Sequence, residues 1–340
     1  MRSQLRPVLL LALFSPLVAE FLLGDQYLAG SLDFALQAGM LLSFVAFYGM
    51  AAVLLREVAR RLRMGWPGLL LLALAFGIFE EGLITQTLFN PHYLGLDLLA
   101  PGHIDALGIG APWTLFVLSL HVIWSIATPI AIIEAWRGTD GAADLRPWLG
   151  RVGIAVCLII FILGAAAIGL TSTVFAQQPF LAQPGQLITA GLLVLAVALA
   201  AVLLGRRIPN SAVGARPHPS GLQPLITAMI FGLIATSGFQ AVAQPQDRFG
   251  WWSAFGIVVV WAVGSWFIIT RRPEPFGVAV GAVLTYAWVG MLPAIRVGAG
   301  AIVEQSVLII VMLSFVGWSG ARLLRPAGQP ARPGRSPIRG

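Results

Sequence analysis

Along its 340 residues the chain alternates long apolar runs with short breaks rich in glycine, proline or charge. Ten runs approach the roughly 20 predominantly apolar residues that a helix needs to cross a bilayer. They are Pro7 to Leu23, Phe34 to Leu55, Trp66 to Leu88, Trp113 to Trp136, Val152 to Leu170, Leu187 to Gly205, Leu222 to Val242, Trp251 to Ile269, Phe276 to Leu292 and Val307 to Leu324. Each is apolar throughout, without the alternation of a lipid-facing strand, so the backbone must satisfy its hydrogen bonds within the segment. The expected fold is all-α, a polytopic transmembrane helix bundle of about ten spans. The ninth and tenth runs are the least sharply bounded, and nine or eleven spans also fit. Met1 to Ala19 has the basic start and apolar stretch of a signal peptide. It lacks a small-x-small cleavage site and runs on into Glu20, so it reads as a retained first helix.

Composition narrows the class further. Hydrophobic residues make up 58% and charged residues only 10%, with a mean hydropathy of +0.87, against about 25% charged in soluble domains. That excludes a cytosolic enzyme, a nucleic-acid-binding domain and a secreted disulfide scaffold. Cys157 is the single cysteine, so no intrachain disulfide forms. The net charge of +7 comes from arginine without any lysine. With both ends on one side, that side holds all of the 21 basic residues except Arg248 and Arg296. The positive-inside rule then places both termini in the cytoplasm and the chain in the cytoplasmic (inner) membrane. Partners follow from the same pattern: a lipid bilayer with anionic head groups, and no nucleic acid.

Four regions are expected. Residues 1–205 form a six-helix membrane region with the candidate site in its first four helices. Residues 206–221 are a cytoplasmic linker rich in Pro, Gly and Arg. Residues 222–324 form a four-helix membrane region, and 325–340 a disordered basic tail. A short echo links Phe76-Gly77 and Trp113-x-x-Phe116 with Phe231-Gly232 and Trp252-x-x-Phe255. An internal repeat of that kind would suit a transporter.

The informative residues are ionisable groups inside spans: Glu20, Glu80, Glu81, His121 and Glu134. A charge at the bilayer centre costs about 2.5–3.5 kcal/mol on insertion scales, so such groups face the protein interior and serve a purpose. Glu80 and Glu81 lie about 100° apart on a helix and can share one groove. Two carboxylates in low dielectric do not both ionise; the pair shares a proton or is neutralised by a metal or a histidine. His121 is the natural partner, because at a rise of about 1.5 Å per residue it lies level with Glu81 on the next, antiparallel helix. His121, Ser125 and Thr128 form a polar stripe, and Pro129 frees the carbonyl of Ser125 and should kink the helix there. Thr85 continues the Glu81 face, and Glu20 can join from the first helix. Glu134, beside Arg137, reads as a snorkelling or capping residue. The plainer alternative is that the pair only ties helices together through Ser, Thr and backbone hydrogen bonds.

The connection from Asn90 to Pro112 carries His92, Asp97, His103 and Asp105. His92 with His103-x-Asp105 has the residue types of a metal site, and also those of an ordinary solvated loop. No phosphate-binding glycine loop, GxSxG elbow or HExxH is present. Neither a cofactor nor a metal can be named from these residues.

The block Glu80-Glu81-Gly82, Phe89-Asn90-Pro91, His121 to Ser125 and Pro129 to Glu134 resembles a group of uncharacterised multi-pass membrane proteins of bacteria and archaea. A looser similarity is to the CAAX-protease and bacteriocin-processing membrane proteases, which use paired glutamates and membrane histidines to activate water. That resemblance implies Glu80, Glu81 and His121 as the water-activating residues. The chain departs from it in three places. Thr85 stands where that family has arginine, Phe116 lies five residues before His121 rather than four, and the only later histidine is His218 in a cytoplasmic loop.

Two functions fit the residues. One is a membrane-embedded hydrolase with catalytic residues Glu80, Glu81 and His121 and secondary candidates Glu20, Thr85 and Ser125. The other is a proton-coupled small-molecule transporter with the same three residues carrying the proton. A non-catalytic scaffold or subunit is the third. The substrate, whether small molecule or peptide, and the oligomeric state are not legible in the sequence.

Overall fold

The structure, a computed structural model, describes residues 2–27, 33–138, 145–207, 222–243 and 250–324. Ten helices within it are long and apolar enough to cross a membrane. We number them α1 (Gln4–Phe21), α2 (Phe34–Arg61), α3 (Trp66–Ile84), α4 (Ala111–Arg137), α5 (Arg151–Thr173), α6 (Pro184–Arg207), α7 (Leu222–Val242), α8 (Gly250–Arg271), α9 (Pro275–Val297) and α10 (Ala299–Leu323). Their starts follow local chemistry. The Asp33 carboxylate accepts the Ala35 amide at 2.8 Å to cap α2, and Glu274 caps α9 through Phe276 and Gly277. Pro67, Pro112 and Pro275 occupy the first turns of α3, α4 and α9, where a missing N–H costs nothing.

The boundary of the tenth run moves. Helix α10 begins at Ala299, eight residues ahead of the apolar run, and carries Glu304 in its second turn. Helix α9 bends after Val289, at Gly290, and continues from Met291. A side chain at Gly290 would run into the Leu22 carbonyl, so the bend lets the end of α1 pack closely.

Helices α4, α3 and α1 are the most enclosed, and α6 and α8 the least. One apolar core runs through both halves of the chain. Trp124 of α4 stacks on Tyr286 of α9 at 4.1 Å and donates to the Ala282 carbonyl at 2.9 Å. Glycine contacts set the close pairings: Gly68 meets Gly205 between α3 and α6, and Gly277 and Gly281 lie on the α7 backbone. Gly77 faces His121 of α4, whereas Gly232 faces Val278 of α9. The two Phe-Gly pairs therefore do not occupy equivalent places. Most of the linker (208–221) and the whole tail (325–340) lie outside the described residues.

At the arginine-rich end, α2 and α4 are joined by a buried ion network. Glu134 is 1% exposed, lies 2.9 Å from Arg56 Nε in an ion pair, and accepts hydrogen bonds from Arg60 Nε at 2.7 Å and Arg60 Nη2 at 2.8 Å. It is not the snorkelling residue expected beside Arg137. Helix α2 runs one and a half turns past its apolar stretch, carrying Arg56, Glu57 and Arg60 inward. Glu57 accepts the Trp148 amide at 2.7 Å and the Leu149 amide at 3.2 Å, and the Arg56 guanidinium lies 3.2 Å over the Trp148 ring. The segment before α5 is thus clamped to α2.

Removing one partner from a buried ion group leaves uncompensated charge, at a cost of about 3–5 kcal/mol. Glu134→Ala should lower the detergent-solubilised protein's thermal midpoint accordingly. Replacing Arg56, Arg60 and Glu134 together by methionine or leucine should recover most of the loss. An unchanged midpoint for Glu134→Ala would remove this network from the account of stability.

Candidate functional site

Four successive helices widen into a π-helical turn, each where it carries a polar residue. The turns are Leu17–Phe21 in α1, Val45–Gly49 in α2, Glu80–Ile84 in α3 and His121–Ala127 in α4. They present Glu20, Tyr48, the Glu80-Glu81 pair and His121. A π-turn takes one more residue than an α-turn and leaves backbone carbonyls poorly satisfied, a defect that folds retain mostly at functional sites. Pro129 adds to it in α4 by removing the bond to Ser125 O. Ser15 Oγ of α1 donates to that freed carbonyl at 2.7 Å and also lies 3.3 Å from Tyr48 O.

His121 is 4% exposed and sits between the two glutamates. Its Nε2 is 2.6 Å from Glu81 Oε1, and its Nδ1 is 3.1 Å from Glu80 Oε2 and 3.3 Å from Ser125 Oγ. The outer atoms of both carboxylates are held by hydroxyls. Tyr48 donates to Glu80 Oε1; Thr85, at 3.1 Å, and Thr87 donate to Glu81 Oε2. The Tyr48 ring lies nearly parallel to the imidazole, with centroids 5.9 Å apart, and Phe76 meets it edge-on at 6.1 Å. Glu80 Oε2 is buried, and its contact with His121 Nδ1 is at ion-pair distance without hydrogen-bond geometry.

The group continues toward the end opposite the arginines. Glu20 is half-buried and lies beside Tyr48 and Asp25. Asp25 follows α1, outside the span. Burial pushes its carboxyl well above the ordinary carboxylate range, and the neighbouring Glu20 adds to this. Tyr93, from the connection after α3, lies over the four acids. Its hydroxyl is raised by burial first and then by Glu81, Glu20, Asp25 and Glu80. The Tyr286 hydroxyl is fully buried on the Asp25 and Glu20 side and makes no hydrogen bond.

The structure therefore brings Glu80, Glu81, His121, Thr85 and Ser125 together and places Glu20 at their edge. It does not assemble the loop histidines. His103 Nε2 is 3.6 Å from an exposed Asp105, and His92 joins no group of three metal-capable residues among those described. Sequence reasoning missed Tyr48, Thr87, Ser15 and Asp25. A signal existed for the first: the chain has four tyrosines, and Tyr48 alone falls in the middle of an early span.

The model of one family, described as an uncharacterized membrane protein family, matches residues 9–325. The chain belongs to that family. No curated protein and no solved structure matches it. The family match covers every residue of the cluster and carries nothing of the protease resemblance.

Asp25 gives a pH test with a definite sign. A carboxyl that holds its proton more tightly when folded stabilises the fold at low pH. That contribution disappears as pH rises past its ordinary value of 3.8 toward the raised one. The thermal midpoint of wild type relative to Asp25→Asn should therefore fall as the pH is raised from about 4. A flat difference would show that Asp25 titrates as a solvated acid.

Proposed function

We propose that the protein is a membrane-embedded hydrolase with Glu80, Glu81 and His121 as its acid–base centre. The observation that supports this is the imidazole held between two buried carboxylates at 2.6 and 3.1 Å. In this reading Glu81 Oε1, steadied by Thr85 and Thr87, takes a proton from water. His121 passes a proton between that carboxylate and the leaving group, and Glu80 keeps the imidazolium stable in low dielectric. Ser125 and Tyr48 are positioning residues that fix the ring and Glu80. Glu20 links the centre to the half-exposed Asp25.

The arginine distribution supports a cytoplasmic-membrane protein with both termini and the Glu134 network at the inner face. The centre then lies in the outer half of the bilayer. An apolar crevice of about 540 Å³ between α3 and α5 is lined by Phe79, Leu83, Ile84, Phe161 and Gly169. Phe79 and Phe161 are ring neighbours there, and Phe161 also meets Phe76 against His121. The crevice suits a substrate with an apolar chain arriving sideways from lipid.

A second reading, proton-coupled transport, is favoured by one observation, the file of titratable groups Asp25, Glu20, Tyr48, Glu80 and His121. Counting against it, the last six helices contribute no carboxylate to the centre.

The test uses the full-length protein in liposomes with acyl-ester and lipid-modified peptide substrates. Wild type should hydrolyse at least one class. Glu81→Gln and His121→Asn should each reduce the rate by about 10²–10⁴-fold. If no substrate in the panel is cleaved, yet wild type dissipates an imposed pH gradient and Glu81→Gln does not, transport replaces hydrolysis.

A further inference from the structure

Each of the three central side chains has one polar atom tied back to the scaffold and another turned inward. Glu80 Oε1 is held by Tyr48, Glu81 Oε2 by Thr85 and Thr87, and His121 Nδ1 lies 3.3 Å from Ser125 Oγ. The remaining atoms are Glu80 Oε2, beside His121 Nδ1 at 3.1 Å, and the pair Glu81 Oε1 and His121 Nε2, 2.6 Å apart. The three residues offer donor atoms that all fall within 4.8 Å of one another. Hydroxyls and carboxylates that orient first ligands from behind are what metal sites use to fix a ligand's direction and tautomer.

Two further observations point to a cation. Glu80 Oε2, on a side chain 1% exposed, accepts no well-directed hydrogen bond and has a single polar neighbour, His121 Nδ1 at 3.1 Å. A buried carboxylate oxygen left without a well-directed donor is costly unless a further positive group meets it. The charge balance is also one-sided. Glu20, Asp25, Glu80 and Glu81 gather around one imidazole, while Arg56 and Arg60 are engaged by Glu57 and Glu134 at the far end of α2.

We infer that Glu80 Oε2, Glu81 Oε1 and His121 Nε2 bind one divalent transition-metal ion of the zinc class. One imidazole and two carboxylates form a mixed nitrogen and oxygen set suited to zinc or a neighbouring first-row ion, and unsuited to soft, thiolate-seeking metals. Ligands about 2.1 Å from a tetrahedral ion stand roughly 3.4 Å apart, so binding needs the 2.6 Å Nε2 to Oε1 pair to open by under an ångström and the Glu80 carboxylate to turn from Nδ1 toward Nε2. Three protein ligands leave a fourth position for water, whose proton such an ion loosens. That use of the ion rests on the hydrolase reading; its binding does not.

The test loads the detergent-solubilised full chain with Zn2+ after chelation and measures bound metal by elemental analysis and stability by thermal unfolding. Wild type should hold about one ion per chain, as a three-ligand site predicts, and gain thermal stability from it. Glu80→Gln, Glu81→Gln and His121→Asn should lose both effects. Tyr48→Phe, which leaves the ligands in place, should keep the fold and weaken affinity by about 10–100-fold. His92→Ala with His103→Ala should leave the ion bound.

Absence of ion from loaded wild type overturns the inference. So does retention by all three ligand variants, or loss in the loop variant. Ion present without hydrolysis removes the hydrolase reading and leaves the site standing. Hydrolysis that survives complete chelation removes the ion's part in the reaction and leaves both its binding and the hydrolase reading standing.

Discussion

A carboxylate surrounded by hydrocarbon persists only if the protein surrounds it with donors, and the arrangement of α1 to α4 answers to that requirement. Glu80 and Glu81 would each be expensive alone. The His121 ring lies against both at once, which a lysine's single nitrogen could not do in that planar geometry. It also fixes the spacing of α3 and α4, because the ring bridges the two helices where Gly77 allows close approach. The hydroxyls of Tyr48, Thr85 and Thr87 then meet the remaining oxygens, drawing α2 and the end of α3 into the same contact set. The packing of these helices and the chemistry of the centre are one arrangement.

The π-turns show how local backbone strain is spent. A regular α-helix places side chains at fixed intervals of about 100°. One extra residue in a turn shifts the phase of everything beyond it. In α3 the widened turn begins at Glu80 itself, and Thr85 N bonds back to Glu80 O at 2.9 Å across five residues. Such a shift lets adjacent glutamates reach opposite nitrogens of one ring. The defect in α4 is partly repaired from outside, by Ser15 on the Ser125 carbonyl. That four neighbouring helices share the defect at one level, while α5 to α10 show none among the described residues, sets this level apart from the rest of the bundle.

Much of this was legible in the residues. Apolar run length located the ten helices, since crossing hydrocarbon imposes a length that few soluble helices mimic. The meeting of Glu81 with His121 followed from rise per residue and antiparallel order. What was hidden depends on phase and partner choice. Periodicity assumes 3.6 residues per turn, so it cannot find Tyr48 behind a π-turn or say which nitrogen faces which acid. Glu134 was misread for a related reason. Its sequence neighbour Arg137 suggested a local pair, whereas Arg60, 74 residues away, and Arg56 reach it from another helix. The early start of α10 was hidden because Glu304 and Gln305 lower the apolar count. Gln305 is nonetheless buried and bonds Gln26 at 3.1 Å and the Leu22 carbonyl at 3.0 Å.

The two buried charged groups, set near opposite ends of α2 and α4, differ in a way that bears on function. At the arginine end, Glu57 and Glu134 face Arg56, Arg60 and Arg61 in direct pairs, and backbone amides complete Glu57. Charges of both signs are matched, so the group is self-contained and has a structural explanation. At the other end, acids outnumber the single imidazole, and a tyrosine hydroxyl lies without a hydrogen bond nearby. Both groups occupy the same low-dielectric setting and the same helices. A polar group needed only to join helices would be expected to resemble the first. The imbalance of the second is the physical reason to look there for a proton, an ion or a substrate that the chain itself does not supply.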